Sequence, residues 1–191
     1  MPVEWLGINC SMRYRVLDLI ISLSLLPVCF VLILLLSLIT ILLDQENPIF
    51  AQTRVGKFEK RFQIFKLRTF KSCTPECASH EVDPRMLLRV GRFYRAIKLD
   101  ELPQILNVIF GDMSLVGPRP CLPSQKRLIE MRASASVFDV KPGITGLSQI
   151  HGVDMRDSEV LLESDIKMIN NMSLPLYFKI LYQTVCQIVR S

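Results

Sequence analysis

The chain has 191 residues, half of them apolar, with a formal net charge of +5 and a pI near 9.0. That length fits one domain with a sizeable core, and the basic excess favours anionic lipid or anionic ligands as partners. Nucleic acid is set aside as a partner, because no helix-turn-helix signature, zinc-finger spacing or aromatic RNA-binding strand is present, and the six cysteines form no disulfide framework.

Residues 1–12 read as a short leader, followed by Arg13 and Arg15 at headgroup level. From residue 19 to residue 43 no charge occurs and Leu, Ile and Val dominate. At roughly 1.5 Å per residue such a run reaches ~37 Å as a helix, enough for a hydrocarbon core of ~30 Å. It is too long for a signal peptide, and Asp44-Gln45-Glu46 follows where small cleavage-site residues would stand. Cations flank both ends, so charge asymmetry assigns no orientation. Pro27 predicts a bend, with Ser22 and Ser24 placed to satisfy freed carbonyls. On these features a kinked single-pass helix and a re-entrant hairpin both stand.

Beyond Asn47 the pattern becomes that of strands. Residues 62–70 alternate apolar with polar, and Val55-Gly56-Lys57 predicts the turn joining this strand to the one before it. The alternation puts Lys66 and Arg68 on one face as a two-cation lip. Residues 72–84 read as a loop; Cys73, Cys77 and His80 lack a fourth ligand, so no metal site is expected there. Helical spacing at Met86, Leu87, Val90, Phe93, Tyr94 and Ile97 predicts a helix that carries Arg92 and Arg95 toward Asp100 and Glu101. Pro103 suits a first helical turn, so a helix is predicted over 102–110, closed by Gly111, with Asp100 capping it. The field at that helix start should lower the Asp100 pKa.

Gly117-Pro118-Arg119-Pro120 predicts a stiff extended segment that leaves the Arg119 guanidinium free. Lys141-Pro142-Gly143-Ile144-Thr145-Gly146 predicts a second phosphate-adapted loop, with a charge from Lys141, a hydroxyl from Thr145 and close backbone approach at the glycines. A polar helix is predicted over 158–170. The apolar stripe from Leu174 to Val189 then predicts an amphipathic helix that lies on the membrane surface or on the chain's own core.

Two adjacent carboxylates among several cations suggest phosphate chemistry. No Ser-His-Asp grouping, Walker loop or dinucleotide glycine fingerprint competes with it, and His151 stands alone. An aspartate can attack phosphorus itself, forming an acyl phosphate that splits one transfer into two steps, with Mg²⁺ screening the diphosphate. A catalytically silent membrane scaffold for a glycan-assembly complex is the alternative, and the intact acidic pair weighs against it.

These residues resemble the bacterial sugar transferases, the monotopic phosphoglycosyl transferases. The resemblance is carried by residues 13–18, Pro48-Ile49-Phe50, Gln52, Arg54-Val55-Gly56, Lys66, Arg68, Leu99-Asp100-Glu101-Leu102-Pro103-Gln104, Asn107, the stretch 111–120 and the loop 141–146. It covers the chain from about residue 11, and the chain resembles the family's minimal catalytic unit. Leu26 stands where members often carry serine, and Phe70 where methionine is frequent.

The resemblance implies transfer of a sugar phosphate from a UDP-sugar to a polyprenyl phosphate at a membrane, with Mg²⁺ as cofactor. Asp100 would be the nucleophile and Glu101 its partner in metal binding or proton handling. Arg95, Arg119, Lys141, Gly143 and Thr145 would bind substrate, beside the Lys66 and Arg68 lip. It also implies a re-entrant membrane helix over 13–44 kinked at Pro27, followed by a cytoplasmic catalytic domain over 45–191 at the bacterial inner membrane. The expected fold class is a membrane-associated α/β domain, mostly helical, with a small β-hairpin or sheet and amphipathic surface helices. Sugar hydroxyls are read by a few loop side chains, so these shared motifs leave the sugar open.

Overall fold

The computed structural model describes residues 8–75, 82–153 and 157–190, with side chains from residue 12 onward. The predicted loop positions Cys77 and His80 lie outside the described residues. Helix α1 spans Ile8–Asp44, so it begins within the stretch read as a leader, and it contains Pro27. Met12–Asp44 is long and apolar enough to cross a membrane. Its outer positions, Leu23, Val28, Phe30, Leu34 and Leu42 among them, are exposed, as a lipid-facing surface requires. Ser24 donates to the Ile20 carbonyl at 2.8 Å, whereas the Ser22 hydroxyl is buried without a partner.

Both ends of α1 are bonded to the folded remainder. Near its start, Arg15 donates from both guanidinium nitrogens to the carbonyls of Val108 and Ile109, and Asp18 accepts from the Leu115 amide at 3.0 Å and the Tyr177 hydroxyl at 2.7 Å. Near its end, the Tyr94 hydroxyl donates to the Leu36 carbonyl at 2.8 Å, and Asp44 accepts from the amides of Arg89 and Val90. The bonds of Asp18 and of the Tyr94 hydroxyl are buried, and Arg15 and Asp44 stand on opposite sides of the apolar run.

The predicted hairpin is present. β1 (Ile49–Val55) pairs antiparallel with β2 (Arg61–Leu67), with Phe50 opposite Lys66 and Gln52 opposite Ile64. Directly opposed residues share a face, so Phe50, Gln52, Arg54, Ile64 and Lys66 form one side of the ribbon. The turn is tight: Phe58 and Glu59 both adopt left-handed backbone angles.

The helix expected from Met86 to Ile97 is broken in two. Pro84–Met86 is one 3₁₀ turn, Leu87 is extended and bridges Phe70, and α2 is confined to Gly91–Ala96. Packing overrides periodicity here. Leu88, Val90 and Tyr94 bury against Leu36 and Leu67, and Gly91 sits so close to the Thr69 carbonyl that a Cβ would collide with it.

α3 (Gln104–Phe110) ends as expected at Gly111, whose φ of 97° only glycine adopts at little cost. Asn107, fully buried, ties α3 to the hairpin: its side chain donates to the Gln63 carbonyl at 2.7 Å and accepts from the Phe65 amide at 3.0 Å. β3 (Ser114–Val116) and β4 (Gly143–Thr145) form a short parallel pair, and α4 (Lys126–Ser134) lies in the connection between them. α5 (Leu147–Ile150), α6 (Ser158–Asn170) and α7 (Leu174–Arg190) complete the chain. α7 has two apolar faces. Tyr177 and Ile180 enter the core with Val108, Met113 and Met168, while Leu174, Phe178, Tyr182, Val185 and Val189 face outward.

Candidate active site

Asp100 sits in a 3₁₀ turn, Leu99–Glu101, directly before α3. Its side chain makes no capping hydrogen bond, and the N-cap position of α3 is Pro103. The expected cap and the expected drop in pKa are therefore both corrected. The carboxyl is 8% exposed, and burial raises its pKa against the opposing pull of Lys66, with Glu101 adding to the rise and Arg95 and Arg119 to the pull. Desolvation exceeds helix-end stabilisation because the turn is pressed against β2 and a short helix has little field.

Glu101 behaves in the opposite way. Burial alone would raise it, but Lys66 at 3.0 Å and Arg119 at 3.4 Å hold it down at about 2. Burial also draws the Lys66 pKa down, with Glu101 opposing. The two neighbouring carboxyls are thus pushed apart, one fixed as an anion and the other poised to take or give up a proton, which is how acid–base roles become separated in a site.

A cavity of about 270 Å³ opens onto Asp100. Lys66, Arg68, Arg54 and Arg95 line it, with Phe50 and Gln52 from β1. Two of the cations lie over rings, Arg68 over Phe50 at 5.6 Å and Arg95 over Phe70 at 5.0 Å, which helps to orient each guanidinium. Arg68 also donates to the Asn47 carbonyl at 2.7 Å. The predicted lip of Lys66 and Arg68 thus borders the same cavity as Asp100, and Lys66 turns its ammonium to Glu101.

Arg119 is not free as expected; Glu101 holds it. Its backbone is gripped from two sides. Arg132, 1% exposed, donates to the Arg119 carbonyl at 2.7 Å, while Arg54 donates to the next carbonyl, that of Pro120, at 3.1 Å. Arg132 is in turn held by Asp165 at 2.6 Å and 3.0 Å. Sequence reasoning missed Arg132, Asp165 and Arg54 as site residues. For Arg54 the β alternation with Gln52 and Phe50 was the available signal. The Arg54 Nε is buried without a hydrogen-bond partner in the protein, a donor left over beside an anion-sized cavity.

The loop 141–146 plays another part than the one expected. Gly143 and Gly117 are needed because two backbones cross: a Cβ on either would strike the other segment, and the Gly143 amide donates to the Pro118 carbonyl at 2.9 Å. Gly143 backs the small crevice that holds Glu101 and Arg119. Thr145 is buried, with its hydroxyl 2.7 Å from that of Thr184. Lys141 lines a different cavity, beside Arg15 and Lys57. The loop supports the site from behind rather than presenting amides to the Asp100 cavity.

Two expectations follow. The rate of any reaction in which Asp100 must be ionised should fall as pH drops through a pKa above the ordinary aspartate value, since Glu101 stays ionised throughout; because Lys66 is the strongest influence opposing that rise, Lys66→Gln should move the acidic limb of kcat/KM further toward neutral pH. A limb at the ordinary aspartate value in both proteins would contradict this. Removing Asp165 alone leaves Arg132 buried and unpaired and should cost about 3–5 kcal/mol of stability, whereas the Arg132→Met and Asp165→Leu double variant should keep its fold. With the Arg119 carbonyl released, that variant should lose about tenfold in kcat/KM for the donor, close to one charged hydrogen bond.

The chain is similar to known proteins. The family described as bacterial sugar transferase matches residues 10–191. The UDP-glucose:undecaprenyl-phosphate glucose-1-phosphate transferase of Caulobacter vibrioides is 39% identical, over 92% of this chain and 69% of its own length. The uncharacterized sugar transferase EpsL of Bacillus subtilis is 37% identical, over 93% of this chain and 87% of its own. The UDP-N-acetylgalactosamine-undecaprenyl-phosphate N-acetylgalactosaminephosphotransferase of Aeromonas hydrophila is 35% identical over 80% of this chain, which spans 38% of that longer protein.

Proposed function

The chain belongs to the bacterial sugar transferase family, and from that premise we propose that it moves a sugar 1-phosphate from a UDP-sugar to undecaprenyl phosphate, a first membrane step in assembling a bacterial polysaccharide or related glycoconjugate. The observation that carries this reading is Asp100, a buried carboxylate at the floor of a cavity ringed by Lys66, Arg68, Arg54 and Arg95. A diphosphate suits that ring of cations, and a carboxylate with a raised pKa is a better nucleophile than an ordinary one.

In the first step an Asp100 carboxylate oxygen bonds to the β-phosphorus and the bond from that phosphorus to the bridging oxygen breaks. UMP leaves with the bridging oxygen, and the sugar phosphate stays on Asp100 as an acyl phosphate. In the second step an oxygen of undecaprenyl phosphate bonds to the same phosphorus and the acyl phosphate bond breaks. That regenerates the carboxylate and yields undecaprenyl diphosphate sugar. Lys66 and Arg119, positioned by Glu101, face the charge that develops on the phosphoryl oxygens, and Arg95, lying over Phe70, faces the same cavity.

The donor set fits Mg²⁺, which is usually held by one or two carboxylates and completed by substrate phosphates. Asp100 has no ion-pair partner among the described residues, and it would hold the ion with the Glu101 oxygen turned away from Lys66. When bound, the ion would neutralise phosphate charge.

The membrane arrangement proposed is a re-entrant α1, with both ends on the cytoplasmic face of the inner membrane and the outward stripe of α7 lying on that face. One observation supports it. The two ends of α1 are bonded to one folded body, through Arg15 and Asp18 at one side and through Leu36 and Asp44 at the other, which a straight span through the bilayer does not permit.

A two-step route releases UMP before any acceptor is present. Mixing the membrane-embedded enzyme with its UDP-sugar and Mg²⁺ alone should give a burst of UMP no larger than the enzyme concentration, and turnover should begin only when undecaprenyl phosphate is added. Absence of UMP from every UDP-sugar until the acceptor is present would reject the covalent route.

A further inference from the structure

A second cavity, of about 500 Å³, is distinct from the one that opens onto Asp100. Met12 and Tyr14 of α1 line it together with Met168 and Met172, and Lys57 of the hairpin tip and Lys141 of the loop 141–146 line it too. Most of its surface is apolar, and methionines supply an adaptable lining. Met12 and Tyr14 flank Arg13, a few residues before the charge-free run that begins at residue 19, so the cavity sits at the level where α1 enters the membrane.

The charges in this cavity are only partly spent. Arg15 is used on the carbonyls of Val108 and Ile109, and Asp18 on Leu115 and Tyr177. The lining sets Arg15, Lys57 and Lys141 against the carboxylates of Asp18 and Asp139, with Asp112 also near Lys141, and Lys141 donates no hydrogen bond to another described residue. An apolar chamber with an excess of cations, at headgroup depth, is complementary to one class of molecule: an amphiphile with an anionic head.

We propose that this cavity binds an anionic glycerophospholipid, its phosphate between Lys57 and Lys141 and the upper acyl carbons against Met12, Met168 and Met172. The reacting polyprenyl phosphate is a different occupant. Gly117 and Pro118 line this cavity, whereas the next two residues, Arg119 and Pro120, line the crevice with Glu101, so the strand end forms a partition between the two sites. The bound lipid would join the start of α1, the hairpin tip and α6 into one unit beside the catalytic cavity.

The inference rests on α1 lying in the bilayer, which flotation of the whole chain with vesicles tests by itself; the Lys57→Gln/Lys141→Gln variant should float as the parent does. After extraction in a non-ionic detergent, native mass spectrometry of the full chain should find one phosphatidylglycerol retained, also in a Lys60→Gln/Lys126→Gln control. In Lys57→Gln/Lys141→Gln that occupancy should fall about tenfold or more, as expected for two phosphate-facing lysines. Equal retention in the variant, or retention of a zwitterionic lipid or of polyprenyl phosphate in the parent, would overturn the assignment. If the double variant fails to fold, a photo-crosslinking residue at Met172 in nanodiscs of phosphatidylglycerol and phosphatidylcholine takes its place. Capture of phosphatidylglycerol well above its mole fraction supports the site, and capture in proportion to the mixture refutes it.

Discussion

Replacing Asp100 with asparagine should lower UMP release by a factor on the order of 10⁴ or more while leaving the chain folded and membrane-bound, since removal of a covalent nucleophile leaves only binding and electrostatic contributions. The same change should raise stability at neutral pH. The sign follows from linkage: the Asp100 pKa is raised in the folded state, so the folded protein binds this proton more tightly than the unfolded chain does, and an ionised Asp100 destabilises the fold above that pKa. Asparagine removes the buried charge and with it the penalty. An upward shift in melting temperature, greatest at neutral pH and vanishing near the ordinary aspartate pKa, is the expected signature. Loss of activity together with loss of stability would mean that Asp100 is structural.

Glu101→Gln should do the reverse to stability. Glu101 is held at about 2 against an ordinary value of 4.5, so its contribution is fully present above pH 4.5 and is lost as pH falls toward 2. At ~1.4 kcal/mol per unit the contribution is about 3–4 kcal/mol. The same loss leaves Lys66, whose side chain is 15% exposed, without its partner, and about 3–5 kcal/mol for breaking a fully buried pair is its upper bound. Activity should fall by roughly 10²–10³, as for loss of a preorganised electrostatic group, because Lys66 and Arg119 lose the anchor that aims them at the phosphate. Adding Lys66→Gln to Glu101→Gln should restore much of the stability and none of the activity. Recovery of activity in that double variant would show that the pair is only a structural tie.

How much of this was legible in the sequence depends on the range of the interaction. α6 has the span expected for it, and α3 stops at Gly111, because capping and local periodicity decide both. The hairpin was readable for the same reason, since its alternation is local. The helix expected over 86–97 failed where distant contacts entered: the spacing of Met86, Leu87 and Val90 fits helix or extended chain, and the bridge from Leu87 to Phe70 decides between them. The nearness of the acidic pair to Lys66 and Arg95 was expected, but the direction of the Asp100 shift was not legible, because burial against β2 is a tertiary fact that outweighs the helix-end field. Lys141 and Thr145 carried the right residue types for phosphate binding, yet the parallel pairing of β3 with β4 turns them toward the other cavity and toward Thr184. Arg132 and Asp165 are far apart in sequence on two helices and carry no local signal; only the packing of α4 against α6 brings them together.

The central claim is that the sugar phosphate is carried on Asp100 before the lipid acceptor attacks. Quenching the enzyme with acid within its first turnover, with its UDP-sugar and Mg²⁺ and no acceptor, followed by proteolysis and mass analysis, should reveal the peptide containing Asp100 heavier by one sugar phosphate, with the added mass disappearing on a chase with undecaprenyl phosphate. An unmodified Asp100 peptide at every quench time, under conditions where product forms as soon as both substrates are present, would contradict it.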